Sequence, residues 1–175
     1  MVKIPLDYVC VKSGVLCPRC QGLVDSGEVD EREIPIMKTL IELEEKENIN
    51  LLKKATYYKA FFVDNDLIVI VMDLGVGTSI PIFTRHARKI EQKLSEKIGA
   101  RIKIIPKAND VRGLASFLLF PTRILGVNIL WLPDGSIEYV IRVPRRSRKY
   151  IEPYLETYER ILNDLLGKKV AIRFE

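Results

Sequence analysis

The sequence predicts an α+β protein of two small modules in tandem, preceded by a short cysteine-bearing extension. Three observations carry this reading. The apolar periodicity runs helix–strand–strand–helix–strand from residue 33 and then repeats that order. Two unrelated landmarks recur at nearly one interval: Gly99-Ala-Arg-Ile-Lys-Ile-Ile aligns with Gly167-Lys-Lys-Val-Ala-Ile-Arg at an offset of 68, and Asp64-Asn-Asp with Asp134-Gly-Ser at 70. A period near 70 is too long for a solenoid unit and suits two α+β modules. Finally, all three cysteines fall within residues 1–30, which show no strong period. The expected divisions are 1–30, 31–107 and 108–175.

Each element follows from its residues. From Glu33 to Glu47, Ile36, Met37, Leu40, Ile41 and Leu43 fall at helical spacing, with Pro35 in the first turn, where its missing N–H costs nothing. A short helical continuation is expected over Asn50–Ala55. Tyr57–Val63 and Leu67–Met72 are β-branched and aromatic runs joined by Asp64-Asn65-Asp66, a hairpin pattern. Ile82, Phe83, Ile90, Leu94 and Ile98 form one helical stripe, closed by Gly99 at a C-cap. Arg101–Ile105 reads as a strand stopped by Pro106. The second module repeats this: a helix over Val111–Phe120, strands over Ile124–Leu132 and Ile137–Val143 around the Pro133-Asp134-Gly135-Ser136 turn, a helix over Tyr150–Leu166 ended by Gly167, and a strand over Lys169–Phe174.

Composition narrows the function class. The chain has 175 residues, 28 Lys and Arg against 23 Asp and Glu, and a formal charge of +5. With 47% apolar and 29% charged residues it is globular rather than disordered. It lacks an apolar run of spanning length and a signal-peptide pattern, so a cytoplasmic protein without membrane partners is expected. Three cysteines and one histidine do not make a disulfide scaffold. Abundant Lys, Glu, Ile and Val with only Gln21 and Gln92 suggest a thermophilic source. An enzyme is not expected. Only His86 is available for a nucleophile–His–acid set, and no cofactor loop is complete. Gly75-Val-Gly77-Thr78-Ser79 lacks the lysine of a phosphate loop and reads as a tight turn.

The element order, together with Lys97-Ile-Gly-Ala-Arg-Ile-Lys-Ile-Ile, Asn109-Asp110 and Leu118-Leu-Phe-Pro-Thr-Arg-Ile-Leu-Gly-Val-Asn-Ile129, resembles archaeal NusA-type transcription factors. These carry tandem type II KH modules of order αββααβ. The resemblance covers roughly Glu33 to Glu175. It implies single-stranded RNA as ligand, a role in transcription elongation or termination, and the transcription machinery as partner. One departure stands against it. A KH module clamps RNA with a GXXG loop, whose glycines let the backbone approach the sugar-phosphate. The corresponding stretches, Pro81–Arg88 and Pro144–Pro153, contain no glycine.

Any RNA binding would therefore be mainly electrostatic. One candidate cluster is Arg142, Arg145, Arg146, Arg148, Lys149 and Tyr150 at a strand-to-helix junction, where guanidinium groups suit phosphates and the phenol a base. The other is Arg85, Arg88 and Lys89 on one helical face, with Arg101 on the next strand. Both also suit ordinary solvated surfaces. The alternative function is a KH-derived scaffold or protein-interaction module without RNA binding. The acidic stretch Glu42–Glu47 reads as a solvated face with internal pairs such as Glu42–Lys46. Trp131 is expected to pack between modules.

Cys17-Pro18-Arg19-Cys20 is the sharpest local motif. CPxC followed by Gly22 resembles a zinc knuckle, whose turn aims two thiolates at one metal. Cys10 is a candidate third ligand, with His86, Asp7, Asp25, Glu28 or another chain's residue as the fourth. A disulfide or free thiols are the other readings of the same cysteines.

Overall fold

Asp30 caps the 3₁₀ turn Glu31–Glu33 that leads into the first long helix: its side chain accepts from the Arg32 amide, while the Glu33 carboxylate returns to the Asp30 amide at 3.2 Å. In the computed structural model, which describes residues 1–77 and 79–175, this helix belongs to a unit spanning Met1–Ile104, and a second unit spans Ile105–Glu175. In chain order the first unit holds α1 (Tyr8–Ser13), α2 (Pro18–Asp25), α3 (Ile34–Glu47), β1 (Thr56–Phe62), β2 (Leu67–Asp73), α4 (Ile80–Ile98) and all but the last residue of β3 (Arg101–Ile105). Its sheet has the order β1-β2-β3, with β1 antiparallel to β2. The core lies between this sheet and the helices. Leu67–Met72 are buried along all of β2, as are Ile36, Met37, Leu40 and Ile41 of α3 and Phe83, Ile90 and Leu94 of α4.

Residues 1–30 belong to this unit. Val2, Leu6, Cys10, Val11, Cys20 and Val29 are buried. Lys3 bridges to Thr56, and the Val2 amide donates to the buried Glu44 carboxylate at 2.7 Å. Two carboxylates of the acidic helix face are paired from outside the helix, and among the described residues no Glu42–Lys46 bridge forms. Glu45 pairs with Lys12, and Glu47 with Lys93 at 3.1 Å and Lys97 at 3.7 Å. Deepest among the polar groups is Glu33, 1% exposed, which accepts from the Tyr57 hydroxyl at 2.7 Å and the Ala60 amide at 3.4 Å.

The second unit holds α5 (Val111–Leu118), β4 (Gly126–Trp131), β5 (Ile137–Val143), α6 (Arg148–Ile151), α7 (Leu155–Leu166) and β6 (Lys169–Phe174). The sheet order is β4-β5-β6, antiparallel then parallel. The helix expected over Tyr150–Leu166 is broken: Glu152-Pro153-Tyr154 tightens into a 3₁₀ turn between α6 and α7, because proline removes one helical donor. The paired helices of an αββααβ order thus have a counterpart here. In the first unit they do not. Nothing between Phe83 and Ile98 interrupts α4, whose one proline sits harmlessly in the first turn.

The two units share one construction detail. Glu91 and Ser95 stand one turn apart on α4 and accept from the amides of Ile104 at 2.8 Å and Ile102 at 3.2 Å. Glu159 and Asn163 stand one turn apart on α7 and accept from Ile172 at 2.8 Å and Val170 at 2.7 Å. Four helical residues advance about 6 Å and two strand residues about 6.6 Å, so side chains spaced by four meet alternate amides of the strand that follows. Every member of the first set lies 68 residues before its counterpart, as do the left-handed cap glycines Gly99 and Gly167. This fits the offset read from the sequence.

Candidate metal centre and basic pocket

Two short helices bring four ligand atoms together. Asp7 is the N-cap of α1, and Cys10 lies three residues on, on the same face. Cys17 is the N-cap of α2, and Cys20 lies three residues on, after the Pro18 that starts the helix. One carboxylate oxygen of Asp7 and the Sγ atoms of Cys10, Cys17 and Cys20 all lie within 4.8 Å of one another. Tetrahedral zinc with Zn–S near 2.3 Å separates its ligands by about 3.8 Å, so a contraction of about 1 Å closes the site. Asp7 Oδ2 is already 3.4 Å from the Cys17 Sγ and 3.7 Å from that of Cys20.

The surroundings orient these groups. The Cys17 amide donates to the Cys10 sulfur and the Asp7 amide to the Cys20 sulfur, both at 3.3 Å. Arg19 pairs with the other Asp7 oxygen at 2.9 Å. Hydrogen bonds from the Cys20 main chain and thiol hold the Cys17 thiol below its ordinary pKa, while burial pushes the Cys20 thiol up to about 11. A cation entering here thus meets one thiol whose pKa is lowered and one, Cys20, that it must deprotonate. All three cysteines are free. The cluster takes Asp7 from the fourth-ligand candidates and leaves out His86, Asp25 and Glu28; His86 Nδ1 instead contacts the Ile82 carbonyl at 3.0 Å. The group can hold a metal.

The second unit carries a cavity of about 420 Å³ lined by Pro121, Thr122, Arg123, Pro144, Arg146, Ser147, Lys149 and Tyr150. Pro144 ends β5, and the turn Arg145–Ser147 swings Arg146 and Lys149 to one wall. The stretch Pro121-Thr122-Arg123, between α5 and β4, supplies the other. Tyr150 is 65% exposed, with the Lys149 ammonium 4.8 Å from its ring centre. Among the described residues, no carboxylate pairs with Arg123, Arg145, Arg146 or Lys149.

The structure sorts the remaining basic candidates. Arg142 Nη1 pairs with Glu175 at 3.0 Å, and its guanidinium lies so close over Gly126 that a Cβ there would stand 2.5 Å from Nη2. Arg148 pairs with Glu152 at 2.7 Å across one turn. Both are committed within their own unit. Arg85, Arg88 and Lys89 project as an exposed row from α4, and Arg101 lines a separate cavity with Asp66, Ser95, Gly99 and Ala100. Thr78, in the loop read as a turn, lies outside the described residues. The sequence reading missed Arg123, although it follows the proline that ends the α5 region. Trp131, expected to pack between modules, is 75% exposed, because it stands at the end of an edge strand.

No protein-family model and no curated protein matches the chain. Among solved structures it is similar to the crystal structure of APE1850, at 16% identity and a TM-score of 0.49, over 78% of this chain and 96% of that one. No helix among the described residues is long and apolar enough to cross a membrane.

Proposed function

We propose that this chain is an RNA-binding protein that holds single-stranded RNA mainly by charge, acting in transcription elongation or termination as its likeness to NusA-type factors implies. The observation that carries the binding is the pocket of the second unit, where Arg123, Arg146 and Lys149 converge beside the exposed ring of Tyr150. Guanidinium and ammonium groups take the phosphates, and the phenol ring offers a stacking face that tolerates any base. No glycine loop clamps the backbone, so affinity depends on counterion release and falls steeply with salt. The side-chain clasps at offset 68 support reading the two units as a duplicated, KH-like module.

Fluorescence anisotropy with a labelled single-stranded RNA tests this. Binding is expected at ~50 mM salt and is largely lost by ~200 mM. Arg123→Ala and Arg146→Ala should each weaken all RNA sequences alike and flatten the log–log salt slope by about 0.7. Absence of binding at the lower salt overturns the reading. It would favour the scaffold alternative, which has its own support: α4 is unbroken, and Arg142 and Arg148 already hold carboxylates.

For the metal, zinc fits the donor set best. Three thiolates and a carboxylate supply a closed tetrahedral shell with no position left for substrate, which is a structural site. Zinc there would tie α1 to α2. One equivalent of zinc per chain by elemental analysis, lost in Cys17→Ser, is the expected result; metal-free protein purified from zinc-containing medium would overturn it.

A further inference from the structure

The two sheets have four edges, and three of them are guarded. On β1, Lys3 pairs alongside Thr56, accepting from Tyr57 and donating to Ala55, and a register shift between Tyr57 and Lys59 bends the strand. On β3 and β6 the outward amides are taken by Ser95 and Glu91, and by Asn163 and Glu159. These are the usual ways in which a sheet edge is kept from pairing with another chain. β4 has none of them among the described residues. Its sequence, Gly-Val-Asn-Ile-Leu-Trp, holds no charge and no proline, and its register with β5 runs without a bulge from Gly126 to Trp131. Ile129, Leu130 and Trp131 are 53%, 46% and 75% exposed.

We propose that β4 is the interface of a two-fold homodimer, in which the β4 strands of two copies pair antiparallel and join their three-stranded sheets into one. The geometry is self-complementary. The Leu132 amide donates to the Ser136 carbonyl at 2.9 Å, so by alternation the even-numbered residues of β4 bond to β5 and the amides of Val127, Ile129 and Trp131 face outward. A two-fold axis perpendicular to an antiparallel pair must pass through a residue facing its own copy. Centred on Ile129, it sets Ile129 against Ile129, and Val127 against Trp131 of the second copy, each a hydrogen-bonded pair. The same three residues share one face of the strand, so an apolar stripe continues across the axis, with an aromatic–β-branched pair at each end. The charges also match. β4 is neutral, Arg123 precedes it and Asp134 follows it, and antiparallel pairing brings each end against the opposite sign. A nucleic acid would meet no cation on this strand, which favours a second copy as the occupant.

Sedimentation of the full chain across protein concentration, read with the emission of its single tryptophan, tests this. The wild type should sediment as a dimer that dissociates on dilution, with Trp131 emission shifting red over the same range. Ile129→Lys sets like charges against each other at the axis and should weaken dimerisation at least about tenfold. Because Ile129 is exposed, its far-ultraviolet circular dichroism should be unchanged. Trp131→Lys, at the rim, should weaken association less. A wild type that stays monomeric at every concentration overturns the proposal. So does a dimer that Ile129→Lys leaves intact, or an emission change seen only on adding RNA.

Discussion

Replacing Glu159 by alanine removes the acceptor that holds the Ile172 amide at the edge of β6. The contact is 2.8 Å long and charge-assisted, and Ile172 is 1% exposed. Among the described residues no other acceptor on that side of the strand replaces the carboxylate, so the amide is left with whatever water reaches it. An orphaned buried donor costs about 1–3 kcal/mol. The Glu159 side chain is 24% exposed, which lets some water in and sets the expectation at about 1–2 kcal/mol. Its ion pair with Arg173, at 3.8 Å and with the arginine 62% exposed, adds only a few tenths, roughly. For a domain of this size, each kcal/mol moves Tm by about 4–8 °C, so the shift should fall near 5–15 °C, roughly.

Two controls make the reasoning refutable. Glu159→Gln keeps an oxygen acceptor and should recover at least half of the loss. Glu91→Ala, the counterpart 68 residues earlier, should cost a similar amount through the Ile104 amide. Urea denaturation followed by circular dichroism gives the free energies, and hydrogen exchange at Ile172 reads the bond directly, with protection falling in the alanine variant. If both alanine variants stay within about 0.5 kcal/mol of wild type, or glutamine is no better than alanine, the clasp contributes nothing and its repetition is incidental.

Two further outcomes follow from buried titrating groups. Burial pushes the Lys103 ammonium down to about 8, against support from Glu91, so the unfolded chain binds more protons above that value. Stability should rise from pH 8 towards 10.5, and Lys103→Met should remove that rise in pH-dependent urea titrations; an unchanged slope refutes it. Burial likewise raises the Glu33 carboxyl, outweighing the donors it accepts from. Its contribution is greatest below the ordinary carboxylate range and declines as pH rises through the raised value. Glu33→Ala, which orphans the Tyr57 hydroxyl, should cost about 2–4 kcal/mol by denaturant unfolding, with the difference from wild type shrinking as pH rises; a cost below about 1 kcal/mol would refute it.

The regular elements were legible because each has a clean apolar period. The α4 stripe from Phe83 to Leu94 and the β2 run Leu67–Met72 gave their elements nearly to the residue. The break before α7 was not, since Pro153 interrupts a stripe that continues on both sides of it. Residues 1–30 showed no period because α1 and α2 are too short for one; what orders them is a few anchors, Val2 on Glu44 and Lys3 on Thr56. In the metal cluster, Cys-x-x-Cys and Cys10 were visible, and Asp7 was one of several fourth-ligand candidates that the sequence could not choose between. An acidic residue three before a cysteine is common, and only the fold shows that both pairs sit at the starts of helices that face one another. The clasps were written in the sequence as Glu91-x₃-Ser95-x₃-Gly99 and Glu159-x₃-Asn163-x₃-Gly167, yet polar residues on a helix carry no sign of what they will accept from.

The net charge of +5 says little by itself, and its distribution says more. In the first unit, lysines of α1 and α4 are used to neutralise the acidic end of α3. In the second unit, Arg142 and Arg148 are neutralised by Glu175 and Glu152, while Arg123, Arg146 and Lys149 are left facing one cavity. A purely solvated surface would gain from distributing those three charges apart, since like charges held together repel without a counter-charge between them. Their convergence is thus a cost that an anion would remove. The same logic applies to β4, where exposed Ile129 and Trp131 carry a cost that a second strand would remove. Pocket and strand lie on one unit, Arg123 belongs to the first and closes the end of the second, and so Arg123→Ala is the one substitution expected to weaken both RNA binding and dimerisation, whereas Arg146→Ala should weaken RNA binding alone.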